Sequence, residues 1–232
     1  MSAPLLLHLV RHGEVAGHHG DIGVTSDGLL RAQEAGRELA RLLGSDEVVH
    51  FLHTGTLRAR QTAYALREGT METIAPDGKS RVLSPRESFG IRNPDIYVAG
   101  ERVEMISSPA ALAERLAGAG MTEADCLKVD FFARFWSHPD RIGSWVADSH
   151  PPGEDADTVA RRVLSFATSL RDIPSAHPRR YVCVTHSPVL RAVARKYLSG
   201  EDPGEPDWLE SVDLRLTDGE VHVDFRSEHA IS

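Results

Sequence analysis

The chain has 232 residues, a formal net charge of −8 and 41% hydrophobic residues, which predicts one large globular domain, 1–232, with a core of its own. No block of Lys or Arg accompanies this acidic balance, so nucleic acid and membranes are not expected as partners, because phosphate-rich surfaces bind clustered cations. The two cysteines indicate neither a disulfide framework nor a zinc site, and the sequence shows no signal-like or membrane-length apolar stretch. We therefore expect a cytoplasmic protein.

The first predicted element is a strand. The largely apolar stretch 5–10 ends abruptly in Arg11, His12, Gly13 and Glu14, and a run of this composition is typical of a strand buried on both faces. Polar groups at the carboxyl end of such a strand emerge where open α/β sheets bind ligands. This strand end is the first candidate site.

Helices and strands then alternate along the chain. Thr25 stands at a predicted helix N-cap, a β-like run follows at 48–52, and the next helix begins near Thr56. Such alternation predicts a mostly parallel central sheet that is flanked by crossover helices.

The segment 84–152 differs from the rest. It is rich in proline and contains an Ala-rich helical piece, 110–117, and an aromatic cluster at 131–145. We interpret the segment, about 84–152, as a cap inserted over the sheet. Its aromatic residues are expected to form a small core of the cap rather than a platform for a ligand.

The alternating pattern resumes at Asp155, where an amphipathic helix begins. The buried run 181–185 ends in a second histidine, His186, and Ser187–Pro188 opens a helix because proline suits the first turn. Alternating patterns on both sides of Asp218–Gly219 predict a C-terminal β-hairpin.

Two buried strands thus each end in an imidazole. If they lie in one parallel sheet, His12 and His186 meet at the same edge, together with Arg11 and with Arg58 at a strand-to-helix junction. The result is a small cationic pocket that suits a phosphate monoester, because the planar guanidinium group binds phosphate oxygens in a bidentate manner.

Four stretches in this order resemble the histidine phosphatase superfamily, the phosphoglycerate mutase-like proteins. They are Leu9–Glu14 (LVRHGE), Val24–Gly28 (VTSDG), Arg58–Ala63 (RARQTA) and Val184–His186 (VTH), the last preceded by Pro151–Glu154 (PPGE). The resemblance implies an α/β fold with a mostly parallel central sheet flanked by helices, an inserted cap and a C-terminal hairpin.

The resemblance also implies a covalent mechanism that needs no metal or other cofactor. His12 would attack phosphorus to give a phosphohistidine that water hydrolyses, while Arg11, Arg58 and His186 hold the phosphoryl oxygens. Glu87 stands where the family places its general acid. Glu14, which adjoins the nucleophile, is the alternative acid.

Some positions depart from the family pattern. His18 replaces an asparagine that lies near the substrate in the family, and Ser187–Pro188 replaces the glycines that often follow the second histidine. His18, Arg92 and Ser187, together with Arg11 and Arg58, are the candidate substrate-binding residues, and Arg92 could read a second anionic group.

The sequence therefore predicts a phosphatase for a small phosphorylated metabolite. One alternative is a phosphoglycerate mutase-type phosphotransferase, which shares the pocket and differs in whether the cap excludes water. Another is a catalytically silent phosphate-binding protein. Whether the chain forms a homodimer stays open.

Overall fold

The computed structural model describes residues 5–17, 20–105, 108–217 and 220–226. Within these residues the strands β1 to β8 are Leu5–Arg11, Val48–His53, Arg86–Glu87, Ile96–Val98, Glu101–Val103, Arg179–Thr185, Ser211–Thr217 and Glu220–Arg226. The helices α1 to α8 are Ser26–Arg41, Leu57–Thr73, Pro109–Arg115, Glu123–Cys126, Asp130–Ser137, Arg141–Ala147, Ala156–Arg171 and Ser187–Ala194. Each of these helices is too short or too polar to cross a bilayer.

One sheet holds six of the strands in the order β3-β2-β6-β1-β7-β8. β1, β2, β3 and β6 run parallel to one another. β7 runs antiparallel to β1, and β8 runs antiparallel to β7. β7 and β8 form the predicted C-terminal hairpin, whose turn lies outside the described residues. The predicted strands at 5–10 and 181–185 are direct neighbours, with Arg11 opposite Thr185. The residues that follow β1 and β6 therefore emerge side by side.

Side-chain caps start the helices where the sequence predicts them. Thr25 accepts a hydrogen bond from the backbone N–H of Gly28 at 3.0 Å, and Asp155 accepts one from Thr158 at 2.7 Å. Each cap satisfies a backbone donor that has no partner within its helix. These bonds explain why α1 and α7 begin at the predicted positions.

Segment 84–152 contains β3 to β5 and α3 to α6. Its aromatic side chains Phe131, Phe132 and Trp145 are buried, as predicted, but they belong to the same apolar cluster as Leu5 and Leu7 of β1. The expectation of a separate small core is therefore wrong, because one core continues from the sheet into this segment. The extent of the cap, about 84–152, stays a prediction.

Helices α1 and α2 cross with their backbones in contact. A Cβ atom added to Gly69 would lie 1.8 Å from the carbonyl oxygen of Gln33, and one added to Gly36 would lie 2.0 Å from that of Leu66. The Thr70 hydroxyl also donates to the carbonyl of Gly36 at 3.1 Å. Only glycine permits this close approach of the two helix backbones. The contact fixes the position of α2, the helix whose first turn contains Arg58.

Gly69→Ala is expected to lower the free energy of unfolding by about 3 kcal/mol, because the added methyl group forces the two helices apart. Urea denaturation measures the change. Gly118→Ala is the matched control, since nothing lies within 4 Å of a Cβ at that position. Equal stability of the two variants would contradict the close crossing.

Candidate active site

The candidate site lies at the carboxyl ends of β1, β2 and β6. His12 and His186 are 4% and 3% exposed, and their ring centroids are 5.2 Å apart with an angle of 68° between the planes. The parallel register of β1 and β6 produces this approach, because each histidine directly follows its strand. Two histidines 174 positions apart in the chain therefore share one small space.

The ring of His12 has a defined orientation. Its Nδ1 lies 2.9 Å from the carbonyl oxygen of Gly13, and since a carbonyl can only accept, Nδ1 must donate. In the neutral ring Nε2 then carries the lone pair, and Nε2 accepts a hydrogen bond from Nε of Arg58 at 3.2 Å. This tautomer has the lone pair of Nε2 on the side of the arginine.

A threonine bridge joins the loop after β1 to α2. The Gly13 N–H donates to Oγ1 of Thr62 at 2.9 Å, and the same hydroxyl donates to the carbonyl oxygen of Arg58 at 2.8 Å. Thr62 therefore sets the distance between the arginine and the loop of His12. This contact gives a physical reason for a threonine four residues after the arginine.

His186 is neutral at neutral pH. Burial first, and then the positive charges of Arg58 and Arg11, lower the pKa of His186 well below its ordinary value. Its Nε2 lies 3.1 Å from the hydroxyl of Thr54, and its Nδ1 lies 3.5 Å from Nη2 of Arg58. The ring contributes to the site as a hydrogen-bonding group, and the positive charge comes from the arginines.

Arg11 is held from three sides by the segment 205–208. Its Nη2 lies 2.8 Å from Oε1 of Glu205, its Nη1 donates to the carbonyl of Pro206, and its guanidinium carbon lies 3.7 Å from the ring centroid of Trp208. Nε of Arg11 is buried and has no hydrogen-bond partner among the described residues. This nitrogen is therefore an unsatisfied donor that has almost no accessible surface.

Sequence reasoning missed Glu205 and Trp208. The ring of Trp208 also lies 5.4 Å from that of His12, so one side chain contacts two central residues of the site. The available signal was a tryptophan in a polar, proline-containing segment (203–208) outside any periodic pattern. Large aromatic side chains in such loops often have functional contacts.

Arg191 fixes this segment to the rest of the protein. It is 1% exposed, and it donates to Oδ1 of Asp202 at 2.8 Å and to both carboxylate oxygens of Asp140 at 2.9 and 2.7 Å. A third carboxylate, Glu205, lies 3.4 Å away and also accepts from the hydroxyl of Ser187 at 2.6 Å. Ser187, a predicted substrate-binding residue, therefore contacts the group that holds Arg11.

Glu87 lines the same cavity as His12. It lies on β3 opposite His53 of β2, and its carboxylate covers Gly55, where an added Cβ would lie 2.9 Å from Oε1. Glu14 is not among the described residues that line this cavity. Of the two carboxylates, Glu87 therefore shares a cavity with His12.

Two further residues, Arg92 and His18, are predicted to bind the substrate. Arg92 lines the cavity, but its Nη2 lies 2.6 Å from Oδ2 of Asp95 and its Nε 3.2 Å from the same oxygen. Its charge is therefore compensated within the protein. His18 lies outside the described residues.

The whole cavity has a volume of about 1030 Å³. Its wall is formed by residues that follow the sheet strands and by side chains of segment 84–152, including Phe89, Met105, Phe135 and Ile142. This volume lies at the upper end of the range for small-molecule sites, roughly 300–1,000 Å³.

Comparisons with known proteins agree with the fold. The sequence model of the histidine phosphatase superfamily (branch 1) matches residues 7–79 and 100–222, more than half of the chain. A comparison with curated protein sequences gave no significant match. The resemblance seen in the sequence motifs is therefore confirmed at the level of the family.

Solved structures with a similar fold include a phosphoglycerate mutase from Bacillus anthracis str. Sterne, with 15% identity, a TM-score of 0.59, and coverage of 98% of this chain and 95% of that chain. A mycobacterial glucosyl-3-phosphoglycerate phosphatase has 16% identity and a TM-score of 0.58, with both chains fully covered. A protein described as mycobacterial hydrolase 1 has 17% identity and a TM-score of 0.59, covering 99% of this chain and 100% of that chain. The predicted fold class is confirmed.

Proposed function

Because the chain belongs to the histidine phosphatase superfamily, we propose that it hydrolyses a small-molecule phosphomonoester through a phosphohistidine on His12. The observation that carries the proposal is the orientation of that ring. Its Nδ1 donates to the Gly13 carbonyl, so the lone pair on Nε2 is directed to the side of Arg58. A neutral imidazole in this tautomer is a competent nucleophile.

The surrounding donors suit a phosphoryl group. Arg11, Arg58 and the ring of His186 would each bind one of the three non-bridging oxygens. They oppose the negative charge that these oxygens carry in the transition state, and this effect is the main source of rate in phosphoryl transfer. The arginines supply the positive charge, since His186 is neutral before substrate binds.

The reaction then proceeds in two displacements. Nε2 of His12 forms a bond to phosphorus while the ester P–O bond breaks, and protonated Glu87 gives its proton to the leaving alkoxide. Water next attacks phosphorus, the P–N bond breaks, and the Glu87 carboxylate takes a proton from that water. The products are an alcohol and inorganic phosphate, with His12 and Glu87 restored.

The test is phosphate release from a panel of phosphomonoesters by the purified chain, without any bisphosphorylated primer. We expect many turnovers per protein, and a denaturing quench during turnover should retain phosphate on a histidine. Isomerised substrate that depends on a primer would favour the phosphotransferase instead. Binding of phosphate without release from any ester would favour the silent binding protein.

Glu87→Gln is expected to reduce kcat/KM for alkyl phosphates by about 100-fold, because the amide cannot protonate an alkoxide. The loss for p-nitrophenyl phosphate should be small, since this leaving group departs without a proton. Steady-state rates on both substrates measure the difference. Glu14→Gln is the matched control and should change neither rate, whereas equal slowing of both substrates by Glu87→Gln would assign the acid elsewhere.

A further inference from the structure

We propose that the leaving group of the natural substrate carries an aromatic or similarly planar apolar group that packs on Phe89. This inference rests on the proposed function and names the substrate class of the same site. Such a substrate differs from short polar esters such as glycerol phosphate and phosphoglycerate.

Phe89 is an exposed aromatic side chain inside the catalytic cavity. Its side chain is 65% exposed, although a residue of this size is usually buried. It lies two residues after Glu87, and both line the cavity that contains His12. A group attached to the oxygen that Glu87 protonates would therefore lie within reach of the Phe89 ring.

The backbone around Phe89 is held in place. Arg162 of α7 donates to the carbonyl oxygen of Gly90 at 2.9 Å and to that of Arg92 at 3.1 Å. The Thr185 hydroxyl donates to the carbonyl of Ile91 at 2.6 Å. The exposed ring is thus presented by a fixed turn, and a fixed aromatic face binds a ligand with little loss of conformational entropy.

The cations beside Phe89 are already used. Arg92 stacks on the ring, with its guanidinium carbon 4.2 Å from the centroid, and it pairs with Asp95. Arg102 binds the same carboxylate of Asp95. The cavity wall also includes the carboxylates of Glu104 and Glu114 and the guanidinium groups of Arg115 and Arg141, so its remaining charges are of both signs.

Other apolar side chains also line the cavity. Met105, Phe135 and Ile142 line the cavity together with Phe89. A volume of about 1030 Å³ exceeds what a phosphate and a short polar chain would fill. Apolar surface in a cavity of this size is best covered by an apolar ligand group.

The experiment compares kcat/KM for three primary-alkyl phosphates, which are phenethyl phosphate, glycerol 3-phosphate and 3-phosphoglycerate. All three release an alkoxide, so each depends on the acid in the same way. We expect phenethyl phosphate to be preferred over both others by at least about tenfold. Phe89→Ala should reduce the preference for phenethyl over glycerol phosphate by about tenfold, and Phe89→Leu should restore part of it.

Tyr97→Ala is the matched control, because Tyr97 is 50% exposed and is not among the residues that line the cavity. It should leave the preference unchanged. Turnover of glycerol phosphate without a preference for phenethyl phosphate, or a preference for phosphoglycerate, would overturn this inference and leave the phosphatase proposal intact. Absence of phosphate release from all three esters would reject both.

Discussion

His12→Ala is expected to reduce phosphate release by roughly 10⁴-fold or more, because the proposed covalent intermediate forms on this imidazole and alanine has no nucleophilic atom. The Nε2 atom is the one that Arg58 contacts at 3.2 Å, and a methyl group offers no atom at that position. Initial rates of phosphate release measure the loss. The histidine-bound phosphate expected after a denaturing quench of the wild type should be absent from this variant.

The structure offers a closely matched control for this variant. His53 ends β2, is 6% exposed, and its Nδ1 donates to the next carbonyl, that of Thr54, at 2.8 Å, just as His12 does with Gly13. His53 is not among the residues that line the cavity. His53→Ala should therefore keep turnover within about tenfold of the wild type. Loss of turnover in His53→Ala with retention in His12→Ala would move the nucleophile to β2.

The sequence was sufficient to predict the elements whose signals are local. The apolar runs that end in His12 and His186 form neighbouring parallel strands, and Thr25 and Asp155 cap the helices that they were expected to begin. A buried strand, a cap and a proline in a first turn each depend on a few adjacent residues. Parallel pairing of β1 and β6 then brings the two histidines together.

Contacts between distant segments were not predictable in this way. Glu205, Pro206 and Trp208 hold a guanidinium that lies almost 200 positions earlier in the chain, and no periodic pattern specifies such a contact. The two-residue strand β3 is also too short to give an alternating pattern. Its pairing with the end of β2 nevertheless determines where Glu87 lies.

Arg92 also has a partner that its position in the sequence did not indicate, and its role as a substrate-binding residue stays a prediction. An arginine near a predicted phosphate site suggests a second anion, but Asp95, three residues later, satisfies it in the folded chain. Glu154 also holds this turn, because its carboxylate accepts a hydrogen bond from the backbone N–H of Asp95 at 3.0 Å. The charges of a site therefore depend on how its loops fold as well as on which residues it contains.

Arg58→Ala is expected to reduce kcat/KM by roughly 10²- to 10³-fold, the size of loss found when one preorganised donor to a developing anion is removed. Its guanidinium lies between the two rings, with Nε 3.2 Å from Nε2 of His12 and Nη2 3.5 Å from Nδ1 of His186. In the proposed mechanism the variant therefore loses a donor to the phosphoryl oxygens and a partner that orients the nucleophile. Separate measurement of kcat and KM should show that kcat carries most of the loss.

Arg60→Ala provides the control for that prediction, because Arg60 lies two residues further along α2 and is exposed. Arg60 carries the same charge as Arg58 and lies on the same helix. Either Arg58→Ala or Arg60→Ala would therefore weaken the general electrostatic attraction of a dianionic substrate. Only a direct contact with the phosphoryl group separates them. Similar losses of kcat/KM in Arg58→Ala and Arg60→Ala would mean that long-range attraction, rather than a positioned donor, accounts for the effect. In that case a higher salt concentration should abolish the difference between each variant and the wild type.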